Sequence, residues 1–478
     1  MKVQESAFLK AKKPLLLKLR DRLLEEFEYA SILAVDSKAR GYSVSTRNVS
    51  ANEDGMYTSR GFVVRVAKDG RYAEYSFNAL DEGKIEEIIG NVKELAACSQ
   101  QVLTAGLNEN IYTIEPDEET TFTGSTDFEV DPEQLGDEAV LKRLTEIRDA
   151  GMAVRDGILD FSVRFNWQKY SKIFLSKEKD MEQNVMWATG GITVSAAKGH
   201  SVKNYGKGYS HLGGAELLDQ MGPKEDVEEV VKVVMELLDS VPMVPGEYEC
   251  VCDPATTGMI VHEAFGHGVE MDMFVKKRAL AAECLGEYVA SPLVTMHDSA
   301  CAVDQAATYF FDDEGTRPTD TVIIDKGVLK TGISDLQSAK ILGTKPTGNG
   351  RRESFRRKAY TRMSNTWFEG GTDSPEEMIA SIKDGLLLEY PSSGMEDPKN
   401  WGIQCMVSIA REIKDGKLTG RIFSPCVLTG YVPDLLKSIT AMSPVAELSG
   451  TGMCGKGYKE WAKVSDGGPY IKATIRLG

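Results

Sequence analysis

Leu16, Leu19, Leu23 and Phe27 recur at three- and four-residue intervals, the period that places apolar side chains on one face of an α-helix. Pro14 suits the first turn of that helix, where its missing N–H is no loss. The period then shortens to two. Tyr29 to Ser37, the alternating segment from Gly41, and Gly61 to Phe77 read as strands, with Asp69-Gly70 as a hairpin turn inside the last. Two further amphipathic helices are predicted, one carrying Ile85, Ile88, Ile89, Val92 and Leu95, the other Val140, Leu141, Leu144 and Ile147. The acidic connector between them, Glu115 to Glu119, reads as a solvated loop. Strand-like segments return from Ile158 to Ala197, and a helix from Lys224 to Leu238 aligns Val227, Val230, Val231 and Val234.

Two prolines and a glycine then fall within Val241 to Gly246, a composition that ends helices and marks a linker. Beyond it the pattern is richer in hairpins: Asp325-Lys326-Gly327 and Asp415-Gly416 each lie between strand-like runs. The reading is an α+β chain of two domains. Residues 1–242 form a helix-on-sheet layer, and residues 243–478 form a mainly antiparallel β domain.

Composition narrows the function classes. The 478 residues carry a net charge of −16, which disfavours a surface built to neutralise nucleic-acid phosphates. No apolar run approaches the ~18 residues of a membrane span, and the first residues lack a secretory leader's apolar core, so a cytoplasmic protein is expected. The eight cysteines include no CxxC pair, as suits small apolar fillers in a reducing compartment.

One segment stands apart. Asp253-Pro254 reads as a helix start, and the helix it opens carries His262, Glu263 and His267 before Gly268. The familiar zinc-peptidase motif sets its histidines at i and i+4 with the adjacent Glu as base. Here the spacing is i and i+5, about 140° around a regular helix, so the helix must distort for both rings to reach one ion. Gly266 is where a π-bulge or an unwound last turn meets least steric resistance. The same residues also fit an ordinary helix histidine followed by a C-terminal cap, although the chain holds only five histidines. A catalytic zinc needs a third protein ligand. Cys454, in the glycine-dense loop Gly450 to Gly457, is one candidate; His297, beside Asp298, is its rival with a surface role as the alternative. Finally, Gly343 to Lys358 is strongly basic within an acidic chain, and its glycine amides and paired arginines suit an anion or a peptide main chain and carboxylate.

At these residues the chain resembles the TldD branch of the TldD/PmbA family of zinc metallopeptidases, some members of which were named modulators of DNA gyrase. The resemblance rests on HEAFGHGVEMD (262–272), FDDEGT (311–316), KPTGNGRRESF (345–355), RMSNTW (362–367) and MCGKG (453–457), which span the second domain in order. The first domain is similar to the family only in layout. Glu270-Met271-Asp272 and the segment from Ser392 to Trp401 depart from the family's pattern.

The resemblance implies Zn2+ held by His262, His267 and Cys454, with Glu263 as general base toward a zinc-bound water. It also implies unfolded or leader-like peptide substrates paired to a sheet edge. Asn349, Gly350, Arg351 and Arg352 are expected to bind substrate. The chain would act as a homodimer or as a heterodimer with a PmbA-like subunit, without direct nucleic-acid or membrane contact. Two other classes compete: a non-catalytic peptide-binding or assembly subunit, and a thiol enzyme with Cys454 as nucleophile.

Overall fold

The computed structural model describes residues 1–103, 117–457 and 459–478. Part of the acidic connector, Glu115 and Pro116, lies outside the described residues. Among the described residues no helix is long and apolar enough to cross a membrane.

The first helix runs Ala7–Leu24, one turn and more ahead of the expected start. Ser6 caps it by accepting the Leu9 N–H, and Leu9 extends the buried stripe of Leu16, Leu19 and Leu23. A good cap and an added apolar anchor outweigh the one backbone hydrogen bond that Pro14, now inside the helix, removes. This helix and Ile85–Leu103 cover one face of an eight-stranded sheet ordered Arg71–Phe77, Ser59–Lys68, Tyr29–Val44, Ile158–Leu175, Lys179–Lys198, Thr120–Ser125. Val49–Glu53 and Ser201–His211 pair at its margins, and all neighbours are antiparallel except Thr120–Ser125. Asp69 and Gly70 both take positive φ (52° and 69°), the hairpin geometry their sequence predicts. A second core joins Val140, Leu144 and Ile147 of the helix Asp137–Met152 to Phe161, Phe165 and Trp167, with Val227, Val230 and Val234 of Lys224–Leu237.

After Val241 to Gly246 the chain builds two small two-stranded sheets and two more large ones. In one, Gly246–Cys252, Ile471–Leu477, Cys426–Tyr431, Gly402–Lys414 and Asp384–Asp397 pair in turn, and the first and last of these strands also pair with each other, so the five close into a ring. The other sheet runs Val328–Leu329, Thr321–Asp325, Met296–Asp298, Asn365–Phe368, Ser465–Gly468, Glu447–Ser449. Both expected hairpins are present, with Lys326-Gly327 and Asp415-Gly416 at positive φ. The helix Pro254–Val261 lies between the two large sheets.

The seam with the N-terminal sheet packs Leu33, Val63, Phe174 and Met181 against Phe311 and Phe355 and sets buried polar contacts beside them. Gln183 bonds the backbone of Phe310 and Phe311, Lys172 pairs with Asp313 at 2.5 Å, and Arg65 with Glu314 at 2.6 Å. Arg352 pairs with Glu74 at 2.5 Å, so two of the signature segments act here as clamps between the sheets.

Candidate metal centre

Asp253 caps the helix Pro254–Val261 by accepting the Thr256 N–H at 2.7 Å. The backbone then widens into one π-turn, His262–Gly266, in which the His267 N–H bonds the His262 carbonyl. That is the distortion the i, i+5 spacing requires: five residues now make roughly one turn, and the two imidazoles share a face with ring centres 5.2 Å apart. Gly266 is needed for a further reason. A Cβ there would lie 2.2 Å from the sulfur of buried Met363.

Cys454 approaches from the hairpin Met453–Lys456 and Lys459–Lys463. Its Sγ lies 3.2 Å from Nε2 of His262 and 3.2 Å from Nε2 of His267, and the three donor atoms fall within 4.8 Å of one another. On a tetrahedral zinc with ordinary bond lengths, N and S ligands sit about 3.5 Å apart. Two imidazole nitrogens and one sulfur converging this closely fit a zinc-type donor set. The electrostatics agree. Burial would push the Cys454 thiol up, but His267 and His262 outweigh it and hold the thiol well below its usual range. Arg362, 1% exposed, donates from Nη2 to Cys454 Sγ at 2.9 Å and from Nε to Glu270 at 3.2 Å. Glu270 also faces His267 Nδ1 at 3.3 Å, which orients that ring with Nε2 toward the cluster. Lys456 completes the surround, bonding Glu270 at 3.0 Å and Asp272 at 2.7 Å.

Glu263 follows His262 into a cavity of about 640 Å3 that both histidines and Cys454 also line. Its Oε2 is buried and has no hydrogen-bond partner among the described residues. Burial pushes its carboxyl up, with the two histidines pulling the other way. Gly394 packs against it; a Cβ there would come within 2.4 Å of Glu263 Cγ. Ser392 to Glu396, the segment that departs from the family pattern, forms part of the same wall.

Residues 245–474 match the PmbA/TldA metallopeptidase C-terminal domain. A metalloprotease of Methanothermobacter thermautotrophicus is 30% identical over 322 residues, covering 66% of this chain and 69% of the relative. The chain belongs to the TldD/PmbA family. A metalloprotease of Methanocaldococcus jannaschii is 26% identical across 96% of this chain and 98% of its own length, and the Haemophilus influenzae metalloprotease TldD homolog is 31% identical over 48% of each. The fold matches that of TldE from Thermococcus kodakarensis, with a TM-score of 0.75 at 19% identity, covering 97% of this chain and 100% of that one. A Thermotoga maritima protein gives 0.77 at 15% identity, over 97% and 100%.

Within this TldD/PmbA chain, four residues expected at the metal site are together and others lie elsewhere. His297 is 7% exposed, bonded to Asp320 at 2.8 Å and Glu369 at 3.0 Å and stacked on Trp367, and it is not among the clustered donors. The surface role weighed for it does not fit that burial. Asn349 to Arg352 do not line the 640 Å3 cavity. Asn349 bonds Asp298 and the Arg362 carbonyl, Gly350 bonds Asp312, and Arg352 is taken by Glu74. Cys250, Cys252, Cys405 and Cys426 are core fillers, but Cys98 and Cys301 are exposed, which apolar composition nearby did not reveal. Arg362, Glu270 and Lys456 were given no role by residue-level reasoning, although each lies in a segment that carries the family resemblance.

Proposed function

We propose that the chain is a zinc-dependent peptidase acting on unfolded or leader-like peptides, built as two domains, 1–242 and 243–478. The observation that carries this reading is the convergence of His262, His267 and Cys454 beside an unpartnered Glu263 in one cavity.

His262, His267 and Cys454 would hold the ion. When bound, it supplies a Lewis acid that polarises a peptide carbonyl and lowers the pKa of water. The remaining work falls to the chain. Arg362 donates a charge-assisted hydrogen bond to the Cys454 sulfur, and Glu270 fixes the ring of His267. Glu263 accepts a proton at Oε2 from the attacking water and passes it to the departing amine; a carboxyl that burial pushes up from its usual range suits both transfers. Substrate alignment has a physical basis too. The strand Asp384–Asp397 pairs with Gly246–Cys252 only over Gly385 to Leu388, so along Ser392 to Glu396 its second edge carries no strand among the described residues and faces the cavity. An extended peptide can pair there through its main chain, with little demand on side chains. We read the chain as cytoplasmic and as a homodimer or a heterodimer with a PmbA-like subunit; the fold it shares with TldE is in keeping with a partner of that kind.

Glu263→Ala should keep stoichiometric zinc and lose cleavage of an unfolded peptide. Cleavage at the native rate would remove Glu263 from the mechanism. Substoichiometric zinc in protein purified without chelator, unchanged by Cys454→Ala, would favour a peptide-binding subunit instead.

A further inference from the structure

A second cavity, of about 110 Å3, lies where the N-terminal sheet meets the signature segments. Trp461 lines both this cavity and the metal cavity, so the Cys454 hairpin forms a shared wall. The cations around it divide into two kinds. Lys172 and Arg352 are neutralised by Asp313 and Glu74. Arg351 and Lys463 have no carboxylate within ion-pair distance among the described residues.

Lys463 is only 7% exposed, yet its ammonium makes one hydrogen bond, to the Gly452 carbonyl at 3.1 Å, and otherwise sits 4.8 Å over the Trp187 ring. Arg351 donates Nη1 to the Met363 carbonyl and lies 5.2 Å over Tyr309. Of the nearby carboxylates, Asp312 accepts the Glu314, Thr316 and Gly350 N–H groups and Glu353 accepts that of Glu460, while Asp466 acts on Lys463 only from beyond ion-pair distance. Burial, with Arg351 adding to it and Asp466 opposing, brings the Lys463 ammonium down to about 7. A buried Lys463 and a half-buried Arg351 facing one small space, with most of their donors unfilled, are costly to keep charged unless an anion joins them.

We propose that the Arg351–Lys463 cavity holds the C-terminal carboxylate of a peptide. Both cations can donate charge-assisted hydrogen bonds to one oxyanion. Trp187, Phe355 and Trp461 supply an apolar floor for the last side chain, which a free inorganic anion does not need. The cavity admits an oxyanion and a few carbons. The assignment of a peptide rests on the peptidase reading above; the anion site itself does not. The two adjacent arginines then differ in what they do, since Arg351 binds the carboxylate whereas Arg352 clamps the seam through Glu74.

The test is binding of a fluorescent, N-acetylated hexapeptide, as free acid and as C-terminal amide, to the zinc-loaded full chain carrying Glu263→Ala. The acid should bind about tenfold or more tightly, the range of a charge-assisted pair, and Lys463→Met or Arg351→Met should abolish that ratio. Lys463→Met should leave the melting temperature unchanged or higher, because it removes an unpaired buried cation, so lost binding is not lost folding. Equal binding of acid and amide, or a ratio that survives Lys463→Met, would overturn the proposal, as would inorganic phosphate binding at this site without discrimination between the peptides. The two readings fail separately. If only the peptidase reading is wrong, the chain with native Glu263 leaves the peptide intact while the acid-to-amide ratio holds; if only this site is wrong, cleavage is normal and the ratio is one.

Discussion

Replacing Arg362 by Met probes how much of the metal centre is built from outside its ligands. The guanidinium is almost fully enclosed and divides its donors among Cys454 Sγ at 2.9 Å, Glu270 at 3.2 Å and the Glu460 carbonyl. Met is similarly unbranched but offers no donor. Two losses follow. The thiolate loses a charge-assisted hydrogen bond, and removal of a ligand's outer partner typically weakens metal binding 10- to 100-fold, about 1.4 to 3 kcal/mol. Separately, removing one partner of a buried ion pair costs about 3–5 kcal/mol in stability. Here Lys456 still neutralises Glu270 at 3.0 Å, so the lower end, about 3 kcal/mol, is expected. Zinc affinity measured against a competing chelator at fixed pH, together with urea unfolding of the chelated protein, reads the two effects apart. Arg362→Lys should recover part of the stability but little of the zinc affinity, since one ammonium cannot reach sulfur and carboxylate together. A zinc dissociation constant for Arg362→Met within twofold of native would refute this account of the site.

Other consequences are independent of that residue. Gly266→Ala should destabilise by about 1–3 kcal/mol through the clash with Met363, with no backbone penalty because φ is −61°; a Gly266→Ala, Met363→Ala double-mutant cycle in thermal melts should show coupling, and additive costs would count against the close contact. Glu74 is held at about 2, burial being outweighed by Arg65 and Arg352. Because the folded value lies below the unfolded one, the stability this carboxylate contributes is present above about pH 4.5 and lost as pH falls toward 2, up to about 3 kcal/mol. Glu74→Gln should flatten that part of the acid-unfolding curve and be less stable at pH 7; an unchanged curve would show the seam pair to be inert. Alkylation with iodoacetamide should label exposed Cys98 and Cys301 first without loss of zinc, whereas Cys454 should react only after chelation.

What could be read from residue order was local. Spacing announced the stripe of Leu16, Leu19 and Leu23, the Asp69-Gly70 turn and the helix distortion at Gly266, because each depends on the period of a helix, the pleat of a strand or the φ of a few neighbours. Where two local signals competed, the reading slipped: Pro14 suggested a start, but the Ser6 cap and buried Leu9 set it at Ala7. Residue type also singled out His262, Glu263, His267 and Cys454. It could not say that Cys454, 192 positions after His262, would stand 3.2 Å from it, since that depends on how a late hairpin settles against an early helix. The same holds for the role of Arg362, which folding encloses between Cys454 and Glu270, and for Arg352, whose partner Glu74 lies 278 residues away. The sequence therefore determined which chemistry was available and where the backbone had to bend. The tertiary structure decided which charges are paired and which are left facing a cavity, because desolvation and pairing are set by sheet register and packing between distant segments.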